Sequence, residues 1–470
     1  MYSGKLDMSL IDGLLIFIAI IAIYILGSFS LHKLGILKKY NITFWGPALM
    51  WRTNKGKKFL KKIAQKKRFW KAFGSSGVVL CFIMMILMVS LFIWQTWAIS
   101  GFTQEQKEVL PGPEFVLVIP GINPILPLDF LWYIILGLIV AMVVHEFSHG
   151  ILTFVSKLKV KSLGILYLIV PIGAFCEPDE KELKEAKPAP RMRIYAAGPT
   201  SNYVVVLISL LIFSFVFMGA IQPASEGAHV FSVDSDSPAY DLGINQGMIV
   251  TSLNNTDITN AQDYFETFDN LSSNSFVEIS YVRKNQEFTK TIFLTDRYQE
   301  YEKRGYSNNI TFQGKAYSGI MSLLKDDIFE SYTSALKNPF KDFPNNFLLI
   351  YILPLWGYFQ GYNPTVAPFT DSYIITGPLS VLPTDAFWII VNALYWIFWL
   401  NLAVALFNVL PMVPLDGGFL FNDAIGIIVK KIKKDITKEK REKLVGNISL
   451  SISLIILLLI IFPFIFKYIP

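Results

Sequence analysis

Phe130-Leu-Trp-Tyr-Ile-Ile-Leu-Gly-Leu-Ile-Val-Ala-Met-Val-Val-His145-Glu146-Phe147-Ser148-His149-Gly-Ile-Leu-Thr-Phe-Val-Ser156 is a membrane-length apolar run in which Glu146 is the only formally charged side chain. A carboxylate at membrane depth costs roughly 2.5 kcal/mol or more, so one that is present calls for a functional reason. On a helix, residues four apart share a face. His145 and His149 can therefore offer two imidazole nitrogens to one ion, with Glu146 beside them to hold and deprotonate a water, the H-E-x-x-H arrangement. Chemistry that consumes water is thus written into a segment where water is scarce.

The surrounding chain fits that placement. Of 470 residues, 53% are hydrophobic, against about 45–50% in soluble domains, and the excess lies in long uncharged runs. The fold class expected is a polytopic α-helical membrane protein of about six transmembrane helices. Apolar runs near 8–28, 76–98, 130–156, 199–220, 386–412 and 446–467 each approach the roughly 20 residues needed to cross ~30 Å of hydrocarbon. Residues 8–29 are long enough to span and lack the basic flank and cleavage site of a signal peptide. The two cysteines, Cys81 and Cys176, lie in different segments and exclude a disulfide framework.

Residues 29–75 hold thirteen Lys or Arg and no acid. This is read as a positive-inside cytoplasmic loop rather than a nucleic-acid surface; anionic lipid headgroups are the alternative. Following that rule, both termini lie outside, the H-E-x-x-H helix ends on the cytoplasmic side, and the Lys-rich stretch 430–443 is inside. Residues 221–344 are then extracytoplasmic. Four short strands are expected there, at 229–234, 248–253, 276–282 and 289–295, with a short helix at 260–268. Pro354 interrupts the apolar run 345–360, read as a re-entrant or interfacial segment, and Gly and Pro punctuate 162–175, read as a re-entrant segment or membrane-associated β-hairpin; non-helical backbone at this depth is buried in protein or lines a wet cavity. The division expected is 1–127 (two N-terminal helices and the basic loop), 128–220 (first catalytic region), 221–344 (outer domain) and 345–470 (re-entrant segment, second catalytic region, last helix).

Two imidazoles do not complete a catalytic zinc site, which takes three protein ligands and a water. The remaining histidines, His32 and His229, fall in the basic loop and the outer domain. From Ala386 to Leu415 there is no charge, and then Asp416 follows Pro411 and Pro414 and precedes Gly417-Gly418. The prolines end the helix, and the glycines permit a turn that returns Asp416 toward the membrane. The expected set is His145, His149 and Asp416 for one Zn2+, with Glu146 as general base.

These motifs together resemble the site-2 protease family of intramembrane zinc metalloproteases. His145-Glu-Phe-Ser-His-Gly150 is similar to its first motif, and Asn408-Val-Leu-Pro-Met-Val-Pro-Leu-Asp416-Gly-Gly418 to its second. Pro171-Ile-Gly-Ala-Phe-Cys-Glu-Pro-Asp179, Ala197-Gly-Pro-Thr-Ser-Asn202 and Thr376-Gly-Pro-Leu-Ser-Val381 resemble further signatures; Ala174 stands where many members carry a second Gly. The outer region, about 225–296, resembles an α/β PDZ domain through Ser237–Asn254. What the resemblance implies is hydrolysis of a peptide bond within or near the transmembrane segment of single-pass membrane proteins, with release toward the cytoplasm. Asn202 and Asn408 could then donate to the oxyanion or substrate backbone, or simply bond neighbouring helices. The Gly173–Phe175 stretch could offer a strand edge to an unwound substrate, and the PDZ-like domain could take a peptide or protein ligand by β-addition. The competing readings are a zinc transporter and an inactive scaffold; neither requires a glutamate placed like Glu146 together with three ligands.

Overall fold

A computed structural model describes residues 10–108, 110–115, 120–168, 170–306, 309–322, 326–360 and 363–468. In chain order, helix α1 (Leu10–Lys33) leads to a hairpin of β1 (Ile42–Trp45) and β2 (Ala48–Thr53), then α2 (Lys57–Ile63) and α3 (Lys67–Ser100). Helix α4 (Leu131–Val155) carries the H-E-x-x-H motif, and β3 (Val160–Leu168), β4 (Val170–Pro178) and α5 (Pro188–Leu211) follow. Next come β5 (Ile221–Pro223), β6 (Ala228–Val233), β7 (Ile249–Leu253), β8 (Thr256–Asp257), α6 (Ala261–Asp269), β9 (Ser275–Arg283), β10 (Gln286–Asp296), β11 (Ala316–Tyr317) and β12 (Ile320–Ser322). The chain closes with α7 (Asn345–Gln360), β13 (Tyr373–Ile375), α8 (Thr384–Asn408), α9 (Asp416–Ile432) and α10 (Lys438–Phe466).

Among the described residues five helices are long and apolar enough to cross a membrane: Lys67–Ser100, Leu128–Val155, Pro188–Ala220, Thr384–Asn408 and Lys438–Phe466. The first expected span, 8–28, falls partly outside the described residues; its described part is helical from Leu10. The run 345–360 forms one helix, α7, with Pro354 inside it. At 16 residues it reaches about 24 Å, short of a ~30 Å hydrocarbon core.

The chain folds as two compact units, Met1–Ile208 with Trp396–Pro470, and Ser209–Tyr395. In the first, the Gly/Pro-punctuated run becomes the β3–β4 hairpin, with Leu163 opposite Cys176 and Ile165 opposite Ala174. The hairpin does not stand alone. The basic loop supplies β1 and β2, making an antiparallel sheet ordered β1-β2-β3-β4 with Trp51 opposite Ile165. Gly46-Pro47 turns this added hairpin, and its Ile, Thr, Phe and Trp suit a pleated, half-buried surface. Among the described residues β1 and β4 are the edge strands of this sheet, so of the run expected to offer an edge, β4 is at one.

Close helix approach holds this unit together. A Cβ on Gly137 of α4 would lie 2.8 Å from the Trp396 carbonyl oxygen of α8, so only glycine lets these helices touch there. Leu152 and Val155 of α4 pack with Leu60 and Ala64, Leu163, Cys176 and Ile194 in one buried cluster. That cluster seats the hairpin against α4 at the level of the motif.

The second unit is built on an antiparallel sheet ordered β11-β10-β9-β7-β6-β12, with β8 paired to β7. Helix α6 covers it. Asn260 caps α6 by accepting from the Asp263 N–H at 2.8 Å, and Tyr264 and Phe268 bury against Val230, Ile279 and Leu294. The four expected strands and the helix are present, with ends that differ from expectation by three residues or fewer. The sheet, however, extends past the 225–296 region of resemblance: β11 and β12 lie beyond it, and β12 forms one margin through Ile320 opposite Val233.

Candidate metal centre

Helix α4 places His145 and His149 one turn apart, their rings 4.8 Å between centroids. Asp416 opens α9 and brings Oδ2 to 2.9 Å from His145 Nε2 and 3.1 Å from His149 Nε2. The three donor atoms all lie within 4.8 Å of one another, a spacing that could hold a metal ion. Their side chains are 8%, 12% and 17% exposed.

The turn that delivers Asp416 works as its residue types require. A Cβ on Gly417 would lie 2.3 Å from the Val409 carbonyl, and one on Gly418 2.6 Å from that of Met412. Glycines at both positions let 409–415 fold back across the start of α9. Ser453 Oγ of α10 accepts from the Val413 N–H at 3.2 Å and fastens the loop.

The surroundings fit a cation. His149 Nδ1 lies 2.7 Å from the Ile194 carbonyl of α5; donating there leaves the Nε2 lone pair facing Asp416, the arrangement usual for a metal-ligating histidine. Gly198 of α5 faces the same point: a Cβ there would stand 2.5 Å from both Nε2 atoms. A glycine thus keeps open the space the donors share. Two imidazoles and the Asp416 carboxylate thus share one poorly solvated point with Glu146 next in sequence, and among the described residues no Lys or Arg lies within 4.0 Å of either carboxylate. Two His nitrogens and one carboxylate oxygen are the donor types that suit a catalytic zinc site.

Glu146 follows the first donor in sequence and is held from a different element. Its Oε2 accepts from the backbone N–H of Cys176 at 2.7 Å. Because that N–H faces Glu146, it lies on the side of β4 away from β3. Phe175 and Gly173 lie on the same strand; the Phe175 ring covers Gly164, where a Cβ would meet it at 2.1 Å, and Arg52 of β2 stacks 6.0 Å from its centroid.

The two asparagines differ. Asn408 Nδ2 donates to the Val404 carbonyl at 2.9 Å within its own helix. Asn202 is fully buried, and neither amide atom has a partner among the described residues. It stands one turn beyond Gly198 on the same face of α5.

Two contributions escaped sequence reasoning. One is the role of Gly198, which the sequence shows within Ala197–Asn202 but without its place against the two histidine rings. The other is the ion pair of Arg191 with Asp423, whose Nε–Oδ2 distance is 2.7 Å and which ties α5 to α9 two turns past Asp416.

The model of peptidase family M50 matches residues 133–459, which spans all three donors and Glu146. The chain belongs to that family, the site-2 proteases, and is a multi-pass membrane protein. Uncharacterized protein MJ0971 of Methanocaldococcus jannaschii is 24% identical over 418 residues, 87% of this chain and 88% of that protein. "Putative zinc metalloprotease CPE1693" of Clostridium perfringens is 25% identical over 315 residues, 61% of this chain and 80% of that protein. Among solved structures, the PDZ domain of the SdrC-like protein Lmo2051 from Listeria monocytogenes matches 21% of this chain and 88% of its own, at 20% identity and a TM-score of 0.17.

Proposed function

We propose that this protein is a zinc-dependent intramembrane endopeptidase that cuts membrane-anchored, single-pass proteins within or near their transmembrane segment. The observation that carries the reading is the convergence of His145, His149 and Asp416 in the space that Gly198 keeps open, with Glu146 beside it. These three residues would hold one Zn2+ per chain. When bound, zinc supplies Lewis acidity, which polarises a carbonyl and acidifies a water. Glu146 takes the proton of the attacking water and delivers it to the leaving amine. Asn202, buried without an internal partner, aims its amide at the scissile carbonyl oxygen, where a preorganised donor is worth most. Asn408, whose amide nitrogen is engaged in its own helix, offers its carbonyl oxygen to the substrate backbone.

A substrate helix hides its carbonyls in i→i−4 bonds and must unwind before attack. The free edge of β4, including Gly173 and Phe175, receives the unwound stretch as an added strand and holds it next to Glu146. The α/β unit of β6–β12 and α6 acts as a PDZ-like domain taking an extended peptide at β12. In the proposed topology that domain is extracytoplasmic and the catalytic residues lie toward the cytoplasmic side, with six spans and the working division 1–127, 128–220, 221–344 and 345–470. The test is Glu146→Gln in cells. Zinc should stay bound while single-pass membrane proteins accumulate uncut; an unchanged membrane proteome with zinc retained would overturn the reading.

A further inference from the structure

A second site lies away from the metal centre, where α3 begins and α4 ends. A cavity of about 510 Å3 is lined by Lys61, Ala64, Gln65, Lys67, Phe154, Lys157, Leu158 and Lys159. Four lysines thus line one concavity whose floor is apolar: Ala64 is buried, and Phe154 and Leu158 pack against the same cluster. Only one of the four is neutralised. Lys159 Nζ pairs with Glu182 at 2.8 Å, whereas Lys61, Lys67 and Lys157 have no carboxylate within 4.0 Å among the described residues. Three lysines without a carboxylate partner raise the local positive potential that an anion meets.

The ligand class follows from position. Lys67 is the first residue of membrane helix α3, and Val155 the last of membrane helix α4. Near these ends the helices touch: a Cβ on Gly74 of α3 would lie 3.0 Å from Leu152 of α4, which leaves the start of α3 about one turn beyond the end of α4. A concavity at the ends of two membrane helices is where lipid headgroups are expected. Phe69, Trp70 and Phe73 form an aromatic group beside it, with Trp70 5.1 Å from Phe69 and 5.4 Å from Phe73; such rings settle at the headgroup level. The first turn of α3 carries no acid and begins Lys67-Arg68, so the positive end of the helix dipole adds to the field instead of being offset. Ammonium groups bind phosphate as point charges, and basic pockets between membrane helices take phosphorylated headgroups.

We propose that this cavity is a phosphate-group site, filled by the headgroup of an anionic phospholipid of the leaflet in which α3 and α4 end. The site is separate from the metal centre, and its readout is lipid binding, so it stands or falls independently of proteolysis. The experiment is native mass spectrometry of the full-length protein in detergent, titrated with phosphatidylglycerol, with phosphatidylcholine, or with inorganic phosphate. The wild type should prefer phosphatidylglycerol by about tenfold or more, that is about 1.4 kcal/mol. Lys61→Gln/Lys67→Gln/Lys157→Gln should lose that preference. Lys58→Gln/Lys62→Gln/Lys66→Gln removes the same charge from neighbours outside the cavity and should keep it. If millimolar inorganic phosphate binds alone and displaces the lipid through the same three lysines, the site holds phosphate from a soluble source. Equal loss in both triple variants, or no preference in the wild type, overturns the proposal.

Discussion

Glu146 Oε2 accepts the backbone N–H of Cys176 at 2.7 Å, so the carboxylate beside the donor triad is held by the free edge of a β-strand. One contact joins the proposed base to the proposed substrate-binding edge. A main-chain donor positions Glu146 without adding a charge that would compete for its proton.

Cys176→Pro tests that contact. It deletes the N–H, and an edge strand tolerates proline where the lost donor faces away from the ladder. Cleavage should fall roughly 10- to 100-fold, the range seen when an outer partner of a metal site is lost, with metal content unchanged. Cys176→Ser keeps the N–H and should retain most activity. Equal activity in the proline variant would remove the contact from the mechanism.

Gly198→Ala should abolish metal binding. Its methyl carbon would stand 2.5 Å from both Nε2 atoms, inside any contact distance, and those nitrogens belong to rings fixed by helix α4. Zinc per chain, measured by inductively coupled plasma mass spectrometry, should fall at least tenfold while the protein remains folded by circular dichroism.

Arg191 and Asp423 should couple α5 to α9. The Asp423 side chain is 7% exposed and that of Arg191 22%, so the pair is largely desolvated. Removing one partner strands a buried charge. Asp423→Ala should destabilise by roughly 2–4 kcal/mol, and replacing both partners with apolar residues should cost less than the sum of the single changes. The readout is a double-mutant cycle on thermal midpoints in detergent.

His229 in β6 should make the second unit acid-sensitive. Burial pushes its imidazole down to about 4. The folded state therefore resists protonation while the unfolded chain takes a proton near pH 6.5. Between these values the unfolded state binds more protons, so stability falls as pH drops from about 6.5 toward 4 and is unaffected by this group above that window. His229→Gln should flatten the loss. The ring proton shifts of His229 in nuclear magnetic resonance should titrate near 4; titration near 6.5 would contradict the assignment.

Much of the site was legible because charge stands out against an apolar background. Glu146 and Asp416 are conspicuous carboxylates beside long uncharged runs, and the i, i+4 histidines need only helical periodicity to share a face. The β3–β4 hairpin was legible from its Gly and Pro punctuation. The hairpin β1–β2 was not, because the surrounding lysines dominate the reading of 29–75 and its strands gain their partner only from β3, more than a hundred residues on. β11 and β12 are two and three residues long, too short for an alternating pattern, and pairing alone defines them. Gly198 and the Arg191–Asp423 pair act through helix packing, which no local pattern reports. Asn202 and Asn408 look alike in sequence; only burial and partner geometry separate the unpartnered amide from the one bonded to its own helix.

The most direct measurement is cleavage of a single-pass membrane protein by the purified full-length chain in liposomes, with the cut mapped by mass spectrometry. The account predicts a cut within or near the transmembrane segment, lost on chelation with 1,10-phenanthroline, restored by Zn2+, and absent in Glu146→Gln despite bound zinc. Cleavage that survives chelation, or that persists in the zinc-loaded Glu146→Gln protein, would contradict it.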